Sequence, residues 1–191
     1  NKYTMSLLFQ QTKKTPKFSL DGQCHIAKCV KCYDADSIHV VILLHGIYTK
    51  FNCRLIGIDT PEIRTKDLQE KEYAIQARDY LRNLVLDKLV IVTCGTFDKY
   101  GRLLINLYQY IDTKDTNDTK DTNDTKDTKD TNDTKDTKDY NDSKDQKGGS
   151  ITLDETVYNW ENSINNKLVV DNYAYRYNGG TKKPFKEWYI A

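Results

Sequence analysis

The 191-residue chain has no run approaching the ~18 to 20 apolar residues that a membrane-crossing helix needs. Its opening, NKYTMSLLFQQTKK, holds too short an apolar stretch for a signal-peptide core. No membrane partner is expected. The chain opens at Asn1 and not at methionine, in keeping with removal of an upstream segment, so the compartment stays open. Cysteine is sparse and odd in number, five residues at 24, 29, 32, 53 and 94. That set excludes a full disulfide framework and points to a reducing, intracellular (cytoplasmic) setting. Net charge is nearly absent at +1.

The near-neutral total hides an uneven distribution. Residues 112 to 147 form twelve triplets with Asp at every third position and contribute 12 Asp and 8 Lys, leaving 21 basic against 16 acidic residues elsewhere. A modestly basic body is compatible with a polyanionic partner and is also common in proteins that never meet one. The tract itself lacks apolar periodicity, Tyr140 being its one bulky residue, and cannot offset the entropy of ordering. It also lacks the glycine turns and stacked apolar positions of a calcium-binding solenoid, which argues against that reading of its aspartates. Disorder is expected over 112–150, closed by the Gly148-Gly149-Ser150 hinge. The ordered body is then 23–111 and 151–191, behind an N-terminal extension over 1–22.

Within the body, residues 24 to 62 read as three strands, broken at Asp34-Ala35-Asp36 and His45-Gly46. From about Asp67 to Leu86 the apolar period becomes helical, through Ala74, Ala77, Leu81, Leu84 and Val85. Val90 to Cys94 and Leu103 to Tyr110 return to strand, separated by the turn Asp98 to Arg102. Ser163 can start a further helix through Asp171. The layout predicts an α+β, mainly β fold. Its centre is a five-stranded Greek-key barrel of the OB type, with a helix between strands three and four and a closing C-terminal helix.

Three acids mark strand ends: Asp36 after the first strand, Asp59 and Glu62 after the third. If the first and third strands are neighbours, these carboxylates converge. Two aspartates with the Thr60 carbonyl make an all-oxygen shell suited to a hard cation such as Ca²⁺. Pro61 holds Thr60 extended and fixes Glu62 at a set distance, where its carboxylate could take a proton from water. Arg54 and Arg102 are suited to the equatorial oxygens of a phosphodiester under attack. The same residues also read as solvated turn residues with surface ion pairs of ~0 to 1 kcal/mol.

Cys29 and Cys32 match C-x-x-C, but positions i and i+3 of a regular strand face opposite sides, which argues against a shared zinc. His39 and His45 read as plain polar residues. Trp160 and Trp188 read as anchors of the closing segment. Tyr175 and Tyr177 either stack on a base or pack on the barrel.

The series YDADS, RLIGIDTPE, KEYAIQARDYLRNLV, DKYGR and SINNKLVVDNYAYRYNGGTK resembles the staphylococcal nuclease (thermonuclease) family over about residues 29–110 and 163–182. The resemblance implies an OB-type barrel that hydrolyses DNA and RNA with Ca²⁺. It implies Asp36, Asp59 and the Thr60 carbonyl as metal ligands, Glu62 as base or water-orienting group, and Arg54 and Arg102 as phosphate-binding arginines. Lys99 and Tyr100 would touch a terminal phosphate. Single strands or frayed ends are the expected substrates, and a monomer is the default. Domains resembling this barrel but lacking the acids and arginines are non-catalytic binding modules, the alternative reading; here all five side chains are present. One departure is Ala35, where the family has glycine, so this backbone position should not be left-handed. Arg64 has no assigned role.

Overall fold

The structure is a computed structural model that describes residues 2–111 and 157–189. The insert expected to be disordered, 112–150, lies outside the described residues. The elements run α1 (Lys2–Phe9), β1 (Cys24–Cys32), β2 (Ser37–Leu44), β3 (Ile47–Leu55), β4 (Ile58–Asp59), α2 (Leu68–Val85), β5 (Leu89–Phe97), β6 (Leu103–Gln109), α3 (Ile164–Val170), β7 (Tyr175–Arg176) and α4 (Phe185–Trp188).

Five strands close into a barrel in the order β1-β2-β3-β6-β5, with β3 and β6 parallel and the other neighbours antiparallel. This is the mainly β, OB-type barrel expected. Alternation drives it: Ile38, Val40 and Ile42 of β2 point inward against Val90 and Val92 of β5 and Leu103, Ile105 and Leu107 of β6. Helix α2 starts where Asp67 accepts hydrogen bonds from the Gln69 and Glu70 amides, and it buries Ala74, Ala77, Leu81 and Val85. Leu20, in the stretch before β1, also reaches the core. The β2–β3 hairpin turns at His45 and Gly46, with φ of 50° and 80°, the paired left-handed backbone of a two-residue hairpin turn.

Two expectations need correction. The first and third strands are not neighbours; both flank β2. The geometric argument separating Cys29 from Cys32 also fails. A bulge in β1 between Cys29 and Lys31 shifts the side-chain phase, so both thiols face the core with Sγ atoms 3.8 Å apart. All five cysteines are free and buried.

One buried amide among the described residues beyond the insert ties that segment to the barrel at three backbone groups. Asn165 accepts a hydrogen bond from the Leu107 amide at 3.0 Å and donates to the Ile56 and Ile105 carbonyls at 3.0 and 3.2 Å. The Ile105 carbonyl also accepts from the Ile56 amide at 2.9 Å, so this one side chain bridges the end of β3 and the middle of β6 at their junction.

Candidate active site

The site begins with a break in a strand. Arg54 and Asp59 were expected on one continuous strand, where five residues span about 17 Å. Instead β3 ends at Leu55, the chain turns at Ile56-Gly57 with Gly57 at φ 75°, and Ile58-Asp59 runs off to pair with Tyr175-Arg176. The turn brings Arg54 Nη2 within 3.0 Å of Asp59 Oδ1. Gly57 has a second reason to be glycine, because a Cβ there would stand 2.8 Å from the Trp160 ring. Its carbonyl accepts from the Tyr177 amide at 2.9 Å.

Asp36 arrives through the β2–β3 pairing, not through contact between the first and third strands. Ser37 lies opposite Arg54 in the register, and the Leu55 amide donates to the Asp36 carbonyl at 2.8 Å. Arg54 Nη1 then donates to Asp36 Oδ2, and Ser37 Oγ donates to Asp36 Oδ1 at 2.8 Å. Asp36 and Asp59 are each only 4% exposed, and one guanidinium serves both. Burial works against the Arg54 charge, but the carboxylates of Asp36 and Asp59 outweigh it and raise its pKa. Ala35 is buried and is not among the left-handed residues His45, Asp87 and Asn172, so it replaces glycine without backbone strain.

Asp34 was not predicted as a site residue. It lines the same cleft, and its Oδ1 is buried with no hydrogen-bond partner among the described residues. Burial, reinforced by the Asp36 charge, pushes its pKa up to about 7. The native state therefore holds a proton between about pH 4 and 7 that the unfolded chain releases. Stability should fall as pH rises through that window, by at most about 1.4 kcal/mol per pH unit. Urea denaturation at several pH values in chelator should show this slope, and Asp34→Asn should flatten it; a slope unchanged in the variant would refute the assignment.

Glu62 follows Pro61 in a trans peptide, and its amide donates to Glu70 Oε1 at 3.1 Å while Thr65 holds Glu70 Oε2 at 2.9 Å. Its carboxylate is 56% exposed and takes Lys182 Nζ at 2.8 Å, the same ammonium that meets Asp59 Oδ1 at 2.9 Å. Burial lowers the Lys182 pKa, but Glu62 and Asp59 more than offset it and the net shift is upward. Lys182 was missed because GGTKK reads as a polar turn.

Across the cleft, Asp98 organises its turn. Its Oδ1 accepts from the Tyr100 and Arg102 amides at 2.8 and 2.9 Å, and its Oδ2 accepts from Arg102 Nε at 2.7 Å. Burial opposes the Asp98 charge, yet these bonds hold its pKa below the ordinary value. Tyr100 stands 72% exposed, with Lys99 and Arg102 over its ring at 5.0 and 5.6 Å.

One cleft of about 540 Å³ thus gathers Asp36, Arg54, Thr60, Glu62, Lys99, Tyr100, Arg102 and Tyr177. Asp59 joins it through Arg54 and Lys182. Tyr175 is different. Only 8% exposed, it packs on Trp188, donates to Asp59 Oδ2 at 3.1 Å and accepts from the Lys183 amide at 2.9 Å. Its ring is packing, not a stacking platform, and its hydroxyl holds a carboxylate. Among the described residues, no group of three or more His, Cys, Asp or Glu stands in a metal-holding arrangement. The donor chemistry nevertheless suits a hard cation, since buried carboxylates and the partnerless Asp34 oxygen supply oxygen alone.

Residues 52–123 match the family model described as Staphylococcal nuclease homologue. That span holds Arg54, Asp59, Thr60, Glu62, Lys99, Tyr100 and Arg102, while Asp36, Tyr175, Tyr177 and Lys182 fall outside it. A protein of Schizosaccharomyces pombe named "Probable endonuclease" is 37% identical over 57 residues, which is 30% of this chain. The match covers 25% of that relative's length. The chain carries an SNase-like domain, and these likenesses support a nuclease-type function at the level of the family.

Proposed function

We propose that the chain hydrolyses phosphodiester bonds of DNA and RNA with little sequence preference, using Ca²⁺. The observation that carries this reading is the meeting of buried acids, two arginines and an exposed glutamate in one cleft. Asp36, Asp59 and the Thr60 carbonyl would hold the cation, with Asp34 beside them. When bound, the cation supplies charge stabilisation at a phosphate oxygen and lowers the pKa of water. Arg54 uses three of its guanidinium contacts on Asp36, Asp59 and the Ile58 carbonyl, so its remaining donors are available to phosphate. Arg102 is anchored through Nε on Asp98, leaving its terminal nitrogens for a second oxygen. Glu62 takes the proton of the attacking water as the oxygen–phosphorus bond forms and the bond to the leaving sugar oxygen breaks; that oxygen regains a proton from solvent. Lys99 and exposed Tyr100 would touch a terminal phosphate, and Tyr177 at the cleft wall would stack on a base without choosing it, which favours single strands or frayed ends.

Cleavage of a labelled oligonucleotide with Ca²⁺ or with chelator tests the reading. Activity should require Ca²⁺, and Arg102→Ala should lower kcat by about 10² to 10³. Equal rates in all conditions would remove the metal-assisted mechanism. Binding without cleavage would make the chain a non-catalytic module.

A further inference from the structure

Lys182 lies in the segment after β7, 120 residues from Glu62 in sequence, yet its Nζ meets Glu62 Oε1 at 2.8 Å and Asp59 Oδ1 at 2.9 Å. Arg54 already serves Asp59 and Asp36 and is only 16% exposed, a fixed part of the site. Lys182 is 47% exposed on a flexible stem and can leave without unfolding anything. Glu62 is otherwise free toward solvent through its side chain, so this ammonium sets where its carboxylate points.

We propose that Lys182 is a positioning residue and a chain-borne rival to the divalent cation: it holds Glu62 beside Asp59 and sets how much cation the site requires. The inference rests on the proposed function for the role of Glu62 and for the cation at Asp59, but its charge argument needs no cleavage. One carboxylate oxygen of Asp59 cannot be shared at full strength between an ammonium and a divalent ion, because the two cations repel at that range. Arg54 Nη2 sits on that same oxygen but is held by Asp36 and the Ile58 carbonyl as well, so it is the exposed Lys182 that ion binding displaces from Asp59. The lysine keeps Glu62 within reach on the way, and the released ammonium stands at the mouth of the cleft, where an incoming phosphate arrives.

The test is calorimetric titration of the purified full chain with Ca²⁺ in the absence of substrate, for the native chain, Lys182→Met and Lys182→Arg. Removing the rival charge should tighten Ca²⁺ binding about fivefold or more in Lys182→Met, whereas Lys182→Arg should stay near the native value. In oligonucleotide cleavage, Lys182→Met should reach half-maximal rate at lower Ca²⁺ and have a lower kcat, with Lys182→Arg largely rescuing both. Equal Ca²⁺ affinity in native chain and Lys182→Met, or binding in neither, overturns the proposal. A rise in KM alone, with affinity unchanged, makes Lys182 a phosphate contact and overturns it as well. Tighter Ca²⁺ binding by a chain that cuts nothing would sink the nuclease reading while leaving the rivalry intact. Lys182→Gln, with the fold checked by circular dichroism, repeats the titration if the methionine variant folds poorly.

Discussion

Arg54→Ala is expected to cost the fold about 3 kcal/mol and to abolish cleavage. The stability loss follows from burial. Asp36 and Asp59 are both nearly inaccessible and share the one guanidinium, so its removal strands the Asp36 carboxylate in a low-dielectric corner and weakens the pairing of Asp59. Lys182 can still reach Asp59, but among the described residues no second cation reaches Asp36. Urea denaturation should give a lower midpoint at unchanged slope, since the damage is local. Arg54→Lys should recover only part of both properties, because an ammonium cannot offer two parallel donors to two acids. A loss under about 1 kcal/mol would mean that water reaches these carboxylates and that Arg54 is not their counter-charge.

Glu62→Gln is expected to do the reverse, leaving the fold intact and removing about 10² to 10⁴ of kcat. The side chain is more than half exposed, so stability should stay within about 0.5 kcal/mol. The amide can still accept a hydrogen bond from Lys182 but cannot take a proton from water. Steady-state cleavage should show kcat falling with KM nearly unchanged, the mark of an interaction made in the transition state. Full activity in this variant would withdraw Glu62 from the mechanism.

The barrel was legible because its signal is local. Alternation in SIHVVILL, the helical period from Ala74 to Val85 and the turn at Asp98 to Arg102 each follow from a few adjacent residues. The acids and arginines stood out where those local patterns end, but by spacing they read equally as solvated turn residues, and their proposed roles came from the resemblance to the nuclease family. What escaped depended on irregularity or distance. A single extra residue in β1 reversed the expected facing of Cys32, and nothing in CHIAKCVKC marks where a bulge must fall. The turn at Gly57 was hidden inside an apolar run that reads as continuous strand. Lys182 and Asn165 act on residues more than 100 positions away or across the whole insert, beyond any periodicity. Tyr175 carried two readings in the sequence, and only the neighbouring Trp188 and Asp59 decide between them.

The Gly57 turn also bears on the order in which the molecule becomes complete. Every proposed ligand and both arginines are synthesised by residue 102, well before the insert. The groups that clamp the turn come after it: Trp160 against Gly57, Asn165 on the Ile56 carbonyl, the Tyr177 amide on the Gly57 carbonyl and Tyr175 on Asp59. A nascent chain paused at residue 111 would carry the chemical groups without the brace that aims them. The groups of the cleft and the brace that aims them thus lie on opposite sides of the insert, so the turn takes its shape only once the chain through Tyr177 has been made.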